Sequence, residues 1–345
     1  MRRTTAEERP TLEGPLTTMT ITPPLLRLLL LLLIAIHPPS TTALDPIIAT
    51  TNNNNNNDNE PNCPLPRPHL SLHPLRPTWQ ASYPGSGSRM TWSLLQSLTS
   101  LQTGDDFNTH HYGYANVLTV KTHYPVKTAR EGWEGIDVDV GFERAIVLLR
   151  NPMHAIPSYF NLLFERRHRL PNHSRRGGVE EWVRYRDHLG HGVMEQLELV
   201  ERFVRYWMER FRGDARGNML LVSFEELVDD VRGPEVARRM VEFLARGNEG
   251  LVDVDPGRVP CVWRAVVKYK DVNQESLEMS GRRDATVANP HSLREGPNER
   301  PYRADQLEGM SVMLHRLMEA YSYDEEFVGI LRGYVEVVSK TMPAE

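Results

Sequence analysis

A segment rich in glycine and serine separates the first strand candidate of the chain from a helix candidate. The strand candidate is TWQASY, residues 78–83, and the apolar-periodic helix carries Trp92, Leu94, Leu95 and Leu98. The residues between them are Pro84, Gly85, Ser86, Gly87, Ser88 and Arg89. Backbone N–H groups in such a turn can point inward, and the helix N-terminus adds partial positive charge. The segment therefore predicts a site for a phosphate or sulfate group, with an ordinary strand-to-helix turn as the alternative.

Two candidate reactive residues, Lys121 and His123, lie at the end of a second strand candidate, residues 116–122. A histidine has an ordinary pKa of about 6.5 and can take a proton from an attacking hydroxyl group near neutral pH. A lysine beside it can offset negative charge on a group being transferred. A purely structural histidine at a strand end is the alternative.

An arginine and a serine make the third candidate pair. Arg150 ends the apolar strand candidate 143–150, and Ser158 follows eight residues later on a helix candidate. A fixed guanidinium fork and a hydroxyl group together suit a phosphate monoester. The alternative is an arginine in a surface salt bridge. Pro157 stands inside the same helix candidate, and its sequence context does not explain it.

Strand and helix candidates alternate along most of the chain. The fourth strand candidate is residues 218–224, and further helix candidates cover residues 153–168, 193–212, 234–246, 305–321 and 324–339. This alternation predicts an α/β domain with an open parallel sheet flanked by helices, over residues 78–340. The carboxyl ends of parallel strands meet at one edge of such a sheet, which would bring the candidates together.

Composition excludes several classes of protein. The chain has 345 residues, 40% hydrophobic and 25% charged, which is ordinary for a globular protein and unlike a collagenous or multi-span membrane protein. The formal net charge of −5 argues against a nucleic-acid partner. The two cysteines, Cys63 and Cys261, show no metal-ligand spacing, so no metal site is expected. A single bridge between them is compatible with the sequence, which does not decide it.

The first 77 residues differ from the rest. Residues 28–36 are an unbroken apolar run, with Arg2, Arg3 and Arg9 before it. We expect residues 1–45 to be either a cleaved signal peptide or a membrane signal-anchor, and both send the rest of the chain into the secretory lumen. Residues 46–77, rich in asparagine and proline, are expected to form a disordered stem. A chain that begins near Pro77 is therefore expected to fold by itself.

The order of the segments PGSGS, KTHYP and LLRNPMHAIPSYF resembles the sulfotransferase superfamily that uses 3′-phosphoadenosine 5′-phosphosulfate. The resemblance covers residues 79–325 and implies the P-loop-like sulfotransferase fold. It implies that residues 84–92 hold the 5′-phosphosulfate, that Arg150 and Ser158 hold the 3′-phosphate, and that His123 is the catalytic base. Phe224, in the segment LLVSFEELV, stands where the family has an aromatic residue that helps to bind adenine.

The PGSG loop and the hydrophobic start look closest to lumenal sulfotransferases of the WSC-domain type, although a cysteine-rich WSC module is missing. This resemblance implies an enzyme that needs no metal and that sulfates a hydroxyl group, with a glycan favoured as acceptor. It also implies a Golgi or other secretory membrane location with a lumenal domain, or secretion if the N-terminal segment is cleaved.

Two positions depart from the family pattern. The family loop usually carries a lysine or arginine where this chain has Gly85, and Arg89 or Lys121 would have to supply that charge. The family's glycine-rich segment near the C-terminus is degraded, which leaves Arg282, Arg283, Arg294 and Arg300 as candidate 3′-phosphate contacts. Two other functions stay open: a P-loop-type kinase, which the missing GK[ST] disfavours, and a non-catalytic nucleotide- or glycan-binding relic, which Gly85 favours.

Overall fold

Five parallel strands form the centre of the molecule. The structure, a computed structural model, describes residues 63, 65–106, 114–126, 142–171, 173–212, 217–268 and 300–342. The strands are β1 (Thr78–Ser82), β2 (Gly104–Asp105), β3 (Thr119–Thr122), β4 (Ala145–Leu149) and β5 (Met219–Ser223), and their order in the sheet is β2-β3-β1-β4-β5. The α/β class and the flanked parallel sheet expected from the sequence are confirmed.

Nine α-helices surround this sheet in the described residues. They are α1 (Ser88–Thr99), α2 (Pro152–Arg167), α3 (Val179–Arg186), α4 (Val193–Trp207), α5 (Phe224–Leu227), α6 (Gly233–Ala245), α7 (Val259–Val267), α8 (Ala304–Ala320) and α9 (Glu325–Thr341). The sequence predicted α1, α2, α4, α6, α8 and α9, and it missed β2, α3, α5 and α7. A π-helical turn, Met208–Arg212, extends α4.

Both faces of the sheet are covered by helices. On one face, Trp79 and Val147 pack with Ile156 of α2, Phe203 of α4 and Leu314 of α8. On the other face lies a second cluster, which includes Leu94 and Leu95 of α1, Ile146 and Leu148 of β4, Met240 of α6 and Val262 of α7. All five residues of β4 are buried, which explains its uninterrupted apolar sequence.

Helix α2 begins with a cap that the sequence Arg-Asn-Pro encodes. The Asn151 side chain accepts a hydrogen bond from the backbone N–H of Met153 at 3.0 Å, and Pro152 occupies the first helical position. Pro157 lacks the N–H that would bond the Met153 carbonyl one turn earlier. The Tyr302 hydroxyl donates to that carbonyl at 3.0 Å instead. A residue about 150 positions away therefore compensates for the proline that the sequence left unexplained.

The segment 65–77 contacts the domain, which corrects the expectation of a disordered stem up to residue 77. Leu75 is buried, and the backbone N–H of Arg76 donates to the Asn248 side chain at 2.7 Å. A disulfide joins Cys63 to Cys261 of α7. The composition of this segment cannot form a core of its own, but it supplies residues that complete the core of the domain. The other bounds of the predicted three-part division stay predictions.

The described residues all belong to one unit, residues 60–345; the other unit, residues 1–59, lies outside them. The expected hydrophobic N-terminal segment therefore lies outside the described residues as well. Within the residues that the structure describes, no helix has the length and apolar character needed to cross a membrane.

We predict that a chain beginning at Pro77 is less stable than one beginning at Glu60. The shorter chain loses the disulfide, worth about 2–4 kcal/mol, and the burial of Leu75, worth about 1.5–3 kcal/mol. Denaturant unfolding of the two chains measures the difference. A Glu60 chain carrying Cys63→Ser and Cys261→Ser is the control, because it loses only the disulfide. Equal stability of the Pro77 and Glu60 chains would contradict the prediction.

Candidate functional site

The residues singled out in the sequence meet at the carboxyl edge of the sheet. His123 directly follows β3, the loop 84–87 follows β1, Arg150 follows β4 and Phe224 follows β5. Because β1 lies between β3 and β4, the loop lies between His123 on one side and Arg150 on the other. This is the position at which open parallel sheets bind their ligands.

The loop after β1 approaches α2 so closely that Gly85 has no room for a side chain. Its φ is +85°, and a Cβ atom there would collide with the Ala155 carbonyl oxygen and lie 2.8 Å from the Tyr159 backbone nitrogen. Arg150 strengthens this contact, since its guanidinium donates to the Gly85 carbonyl at 2.6 Å. Glycine therefore occupies this position for a steric reason, and a lysine or arginine would not fit.

Gly87 makes a second close approach, to the ring of Phe224. Its φ is +89°, and a Cβ atom there would lie 2.6 Å from Cε2 of that ring. The Arg150 guanidinium lies over the ring, 4.1 Å from its centre, in a cation–π contact. Phe224 thus supports both Arg150 and the loop. Adenine, its expected ligand, could use only the ring surface that these contacts leave.

Ser158 lies one turn along α2 from Ala155, next to the loop. It is 8% exposed, and its Oγ has no hydrogen-bond partner among the described residues. Its Cβ would lie 3.3 Å from a Cβ atom on Gly85. A buried hydroxyl group without a partner costs free energy unless a ligand or water bonds it. Ser158 and Arg150 therefore fit the phosphate group assigned to them from the sequence.

His123 is held in one tautomer. Its Nδ1 lies 2.7 Å from the Ser82 carbonyl oxygen, which can only accept, so Nδ1 carries the proton and Nε2 keeps its lone pair. Burial, and after it the positive charge of Lys121, lower the pKa of His123 from 6.5 to about 4. The imidazole is therefore neutral at physiological pH, which is the state that a general base needs.

Lys121 makes an ion pair that the sequence analysis missed. Its Nζ lies 2.5 Å from Asp105 Oδ2, and the two residues stand opposite each other in the β2–β3 register. Burial raises the pKa of the neighbouring Asp106 well above its ordinary value. The sequence GDD at positions 104–106 could have indicated carboxylates at a strand end. It was missed because β2 has only two residues, too few to show the alternating pattern of a strand.

Pro84 and Ser86, two further residues of the loop, are buried. Ser86 faces a cavity of about 20 Å³ that Tyr83, Arg150 and Tyr334 also line. That volume accommodates about one water molecule. The carbonyl of Ser88 accepts from the Gln80 side chain at 2.9 Å, which fixes the start of α1.

Besides Arg150, two arginines that the sequence suggested as ligand contacts, Arg89 and Arg300, lie in the described residues. Arg89 is exposed on the first turn of α1. Arg300 donates to the Asn161 side chain and to the Gly177 carbonyl, so it joins α2 to the segment before α3. Arg282, Arg283 and Arg294 lie outside the described residues. Among the described residues, no group of three or more His, Cys, Asp or Glu side chains is placed to hold a metal ion.

Comparison with known proteins gives one distant similarity. No protein-family model matches the chain. Over 175 residues the chain is 27% identical to a protein from Aedes aegypti described as a WSCD family member, an alignment that covers 47% of this chain and 48% of that protein. The chain spans about half the length of the curated relative that it matches.

We predict that Gly85→Ala destabilises the protein more than Gly190→Ala. Gly190 is the matched control, because its φ of +92° is similar but no atom lies within 4 Å of an added Cβ. Both variants place alanine in a left-handed conformation, at about 1–2 kcal/mol. Gly85→Ala also forces α2 away from the loop, which adds about 1–3 kcal/mol.

Denaturant unfolding of both glycine variants measures this difference, and equal losses would show that the loop and α2 are not in steric contact. The same contact means that Gly85→Lys disrupts the loop, so this variant cannot restore a missing catalytic charge.

Proposed function

We propose that this protein is a sulfotransferase that moves a sulfuryl group from 3′-phosphoadenosine 5′-phosphosulfate to a hydroxyl group. One observation carries the proposal: a glycine-rich loop before a helix N-terminus, an arginine–serine pair and a histidine whose Nδ1 bonds the Ser82 carbonyl converge at one edge of a parallel sheet. Each feature alone has an ordinary structural explanation. Their order along the chain and along the sheet edge together favour this reaction.

The proposed donor site uses groups whose geometry suits two phosphates. The turn at Gly85 and Gly87 and the N-terminus of α1 would hold the 5′ end of the donor through backbone N–H groups. Arg150 and the buried hydroxyl of Ser158 would hold the 3′-phosphate. The contact between Gly85 and α2 holds these two sets of groups at a constant separation.

His123 is proposed to act as the base. Its Nε2 would take the proton of the acceptor hydroxyl, while the hydrogen bond from Nδ1 to Ser82 keeps the ring oriented. The donor supplies an activated sulfuryl group, whose sulfur bonds the acceptor oxygen as its bond to the bridging phosphate oxygen breaks. Lys121 lies two residues before His123 and is the proposed source of positive charge for this step. To supply it, Lys121 would have to turn from its ion pair with Asp105 toward the donor.

The departure at Gly85 is compatible with an active enzyme as well as with a non-catalytic relic. That interpretation rested on the absence of a basic residue in the loop. The close approach of α2 gives the glycine a structural reason that does not depend on loss of activity. The positive charge must come from another element of this chain, and Lys121 on β3 lies at the same edge of the sheet.

We also propose that the protein works in the secretory lumen on a glycan acceptor, tethered to the membrane by its N-terminal segment. The disulfide between Cys63 and Cys261 supports an oxidising compartment. The resemblance of the loop to WSC-domain-type sulfotransferases is the reason for favouring a carbohydrate over a protein hydroxyl.

Arg150→Ala is predicted to weaken binding of 3′-phosphoadenosine 5′-phosphate by roughly 10- to 150-fold, because a charge-assisted contact worth about 1.5–3 kcal/mol is lost. Ser158→Ala should weaken binding less, since its hydroxyl is neutral. Calorimetry measures both affinities. Arg238→Ala is the control, because Arg238 pairs with Glu235 and Glu242 within α6. Unchanged affinity in both site variants would remove the 3′-phosphate assignment, and tighter binding of ATP by the unmutated protein would favour a kinase.

His123→Ala is predicted to lower turnover about 10²- to 10⁴-fold with donor affinity nearly unchanged. Because the pKa of His123 is lowered to about 4, kcat/KM should stay level from pH 8 to about pH 5 and fall as the pH approaches 4 and the imidazole gains a proton. Sulfate transfer from labelled donor to glycans, measured across this range, tests both statements. An acid limb near pH 6.5 would contradict the lowered pKa of His123, and full activity of His123→Ala would assign the base to another group.

A further inference from the structure

Glu225 connects the ends of two neighbouring strands next to the proposed donor site. It is the second residue of α5, directly after Phe224. Its Oε1 accepts a hydrogen bond at 3.0 Å from the backbone N–H of Asn151, which belongs to the peptide bond that joins Arg150 to Asn151. Its Oε2 accepts from the Ser223 hydroxyl at 3.4 Å. The carboxylate therefore holds the backbone of Arg150 at a set distance from the end of β5.

The C-terminal helix joins the same group of residues. The phenol of Tyr334, on α9, is fully buried beside Ser223 and Glu225, and burial raises its pKa well above 10. The Asn151 side chain donates to the Tyr334 backbone carbonyl at 3.4 Å. Three elements that are far apart in the sequence thus meet at one carboxylate.

The negative charge of Glu225 acts on the same side chain as the guanidinium of Arg150. His154, one turn into α2, responds to both groups: burial and then Arg150 lower its pKa, whereas Glu225 raises it. Arg150 at the same time lies over the ring of Phe224, the residue next to Glu225. The negative charge of Glu225 opposes the binding of a phosphate by Arg150, while the hydrogen bond from Asn151 to Glu225 holds the backbone of Arg150 in place.

We propose that Glu225 is a positioning residue for the donor: its carboxylate fixes the Arg150 backbone against β5 and α9. This rests on the proposed function of the same site. The hydrogen bonds of Glu225 favour the binding of an anionic nucleotide, whereas its negative charge disfavours it. If Glu225 had only a general structural role, removing its charge and removing its hydrogen bonds would not change nucleotide affinity in opposite directions.

Two substitutions distinguish the geometric effect from the charge effect. Glu225→Gln keeps an oxygen that can accept from Asn151 and removes the charge. We expect it to bind 3′-phosphoadenosine 5′-phosphate several-fold more tightly than the unmutated protein. Glu225→Ala also removes the charge but loses the hydrogen bonds. We expect it to bind about 2- to 12-fold more weakly than Glu225→Gln, the change that one lost hydrogen bond of ordinary strength produces.

Glu226→Gln is the matched control, because it removes the same charge one residue further along. The Glu226 carboxylate pairs with Arg232 at 2.9 Å, and Arg232 is exposed. Its nucleotide affinity should equal that of the unmutated protein within about twofold. All four full-length proteins are compared by calorimetry at one ionic strength.

A second measurement does not depend on nucleotide binding. The pKa of His154 is followed by NMR, with His154→Gln used to assign its signal. Glu225→Gln should lower the pKa of His154, because it removes the charge that raises it, and Glu226→Gln should leave it almost unchanged.

Equal nucleotide affinities of Glu225→Gln and Glu225→Ala, or an unmoved pKa of His154 in Glu225→Gln, would overturn the proposal. If the unmutated protein binds no nucleotide but the pKa of His154 shifts as expected, the placement of Glu225 at the start of α2 stands. In that case the proposed function fails, and the donor role of Glu225 fails with it.

Discussion

The site depends on one contact between two stretches of backbone, the turn at Gly85 and the first half of α2. With no Cβ at Gly85, the loop after β1 lies directly on the Ala155 carbonyl and the Tyr159 nitrogen. The guanidinium of Arg150, which follows the neighbouring strand β4, donates a hydrogen bond to the Gly85 carbonyl. The loop that would hold one end of a ligand and the helix that would hold the other are therefore in direct backbone contact.

Helix α2 can serve as that partner because both of its irregularities are compensated. Asn151 caps its first turn and contributes its backbone N–H to Glu225, so the start of the helix is tied to β5. Pro157 leaves the Met153 carbonyl without its helical partner, and Tyr302 supplies one. Glu225, after β5, and Tyr302, near the start of α8, thus help to determine where Ser158 lies.

The sequence predicted those parts of the fold and site that depend on local patterns. The apolar strand β4, the longer amphipathic helices and the turn at residues 84–88 are visible because their signals repeat or cluster within a few positions. Arg150, Ser158 and His123 were found because each adjoins such an element. The packing of residues 65–77 was missed, since it consists of contacts to residues as distant as Asn248 and Cys261. Asp105 and Glu225 were missed because their partners become neighbours only when the strands align. Phe224 was predicted to bind a ligand, but its contacts with Arg150 and Gly87 appear only in three dimensions.

The disulfide has a consequence for how the chain responds to cleavage. Cys63 and Cys261 are 198 residues apart, so they enclose all five strands and both ends of the proposed nucleotide site in one covalent loop. A protease that cuts one peptide bond anywhere inside this loop produces two polypeptides that remain a single molecule. Their separate masses appear only after a reducing agent is added. Protein that looks intact under oxidising conditions can therefore already be cut, with the parallel sheet still assembled from both pieces.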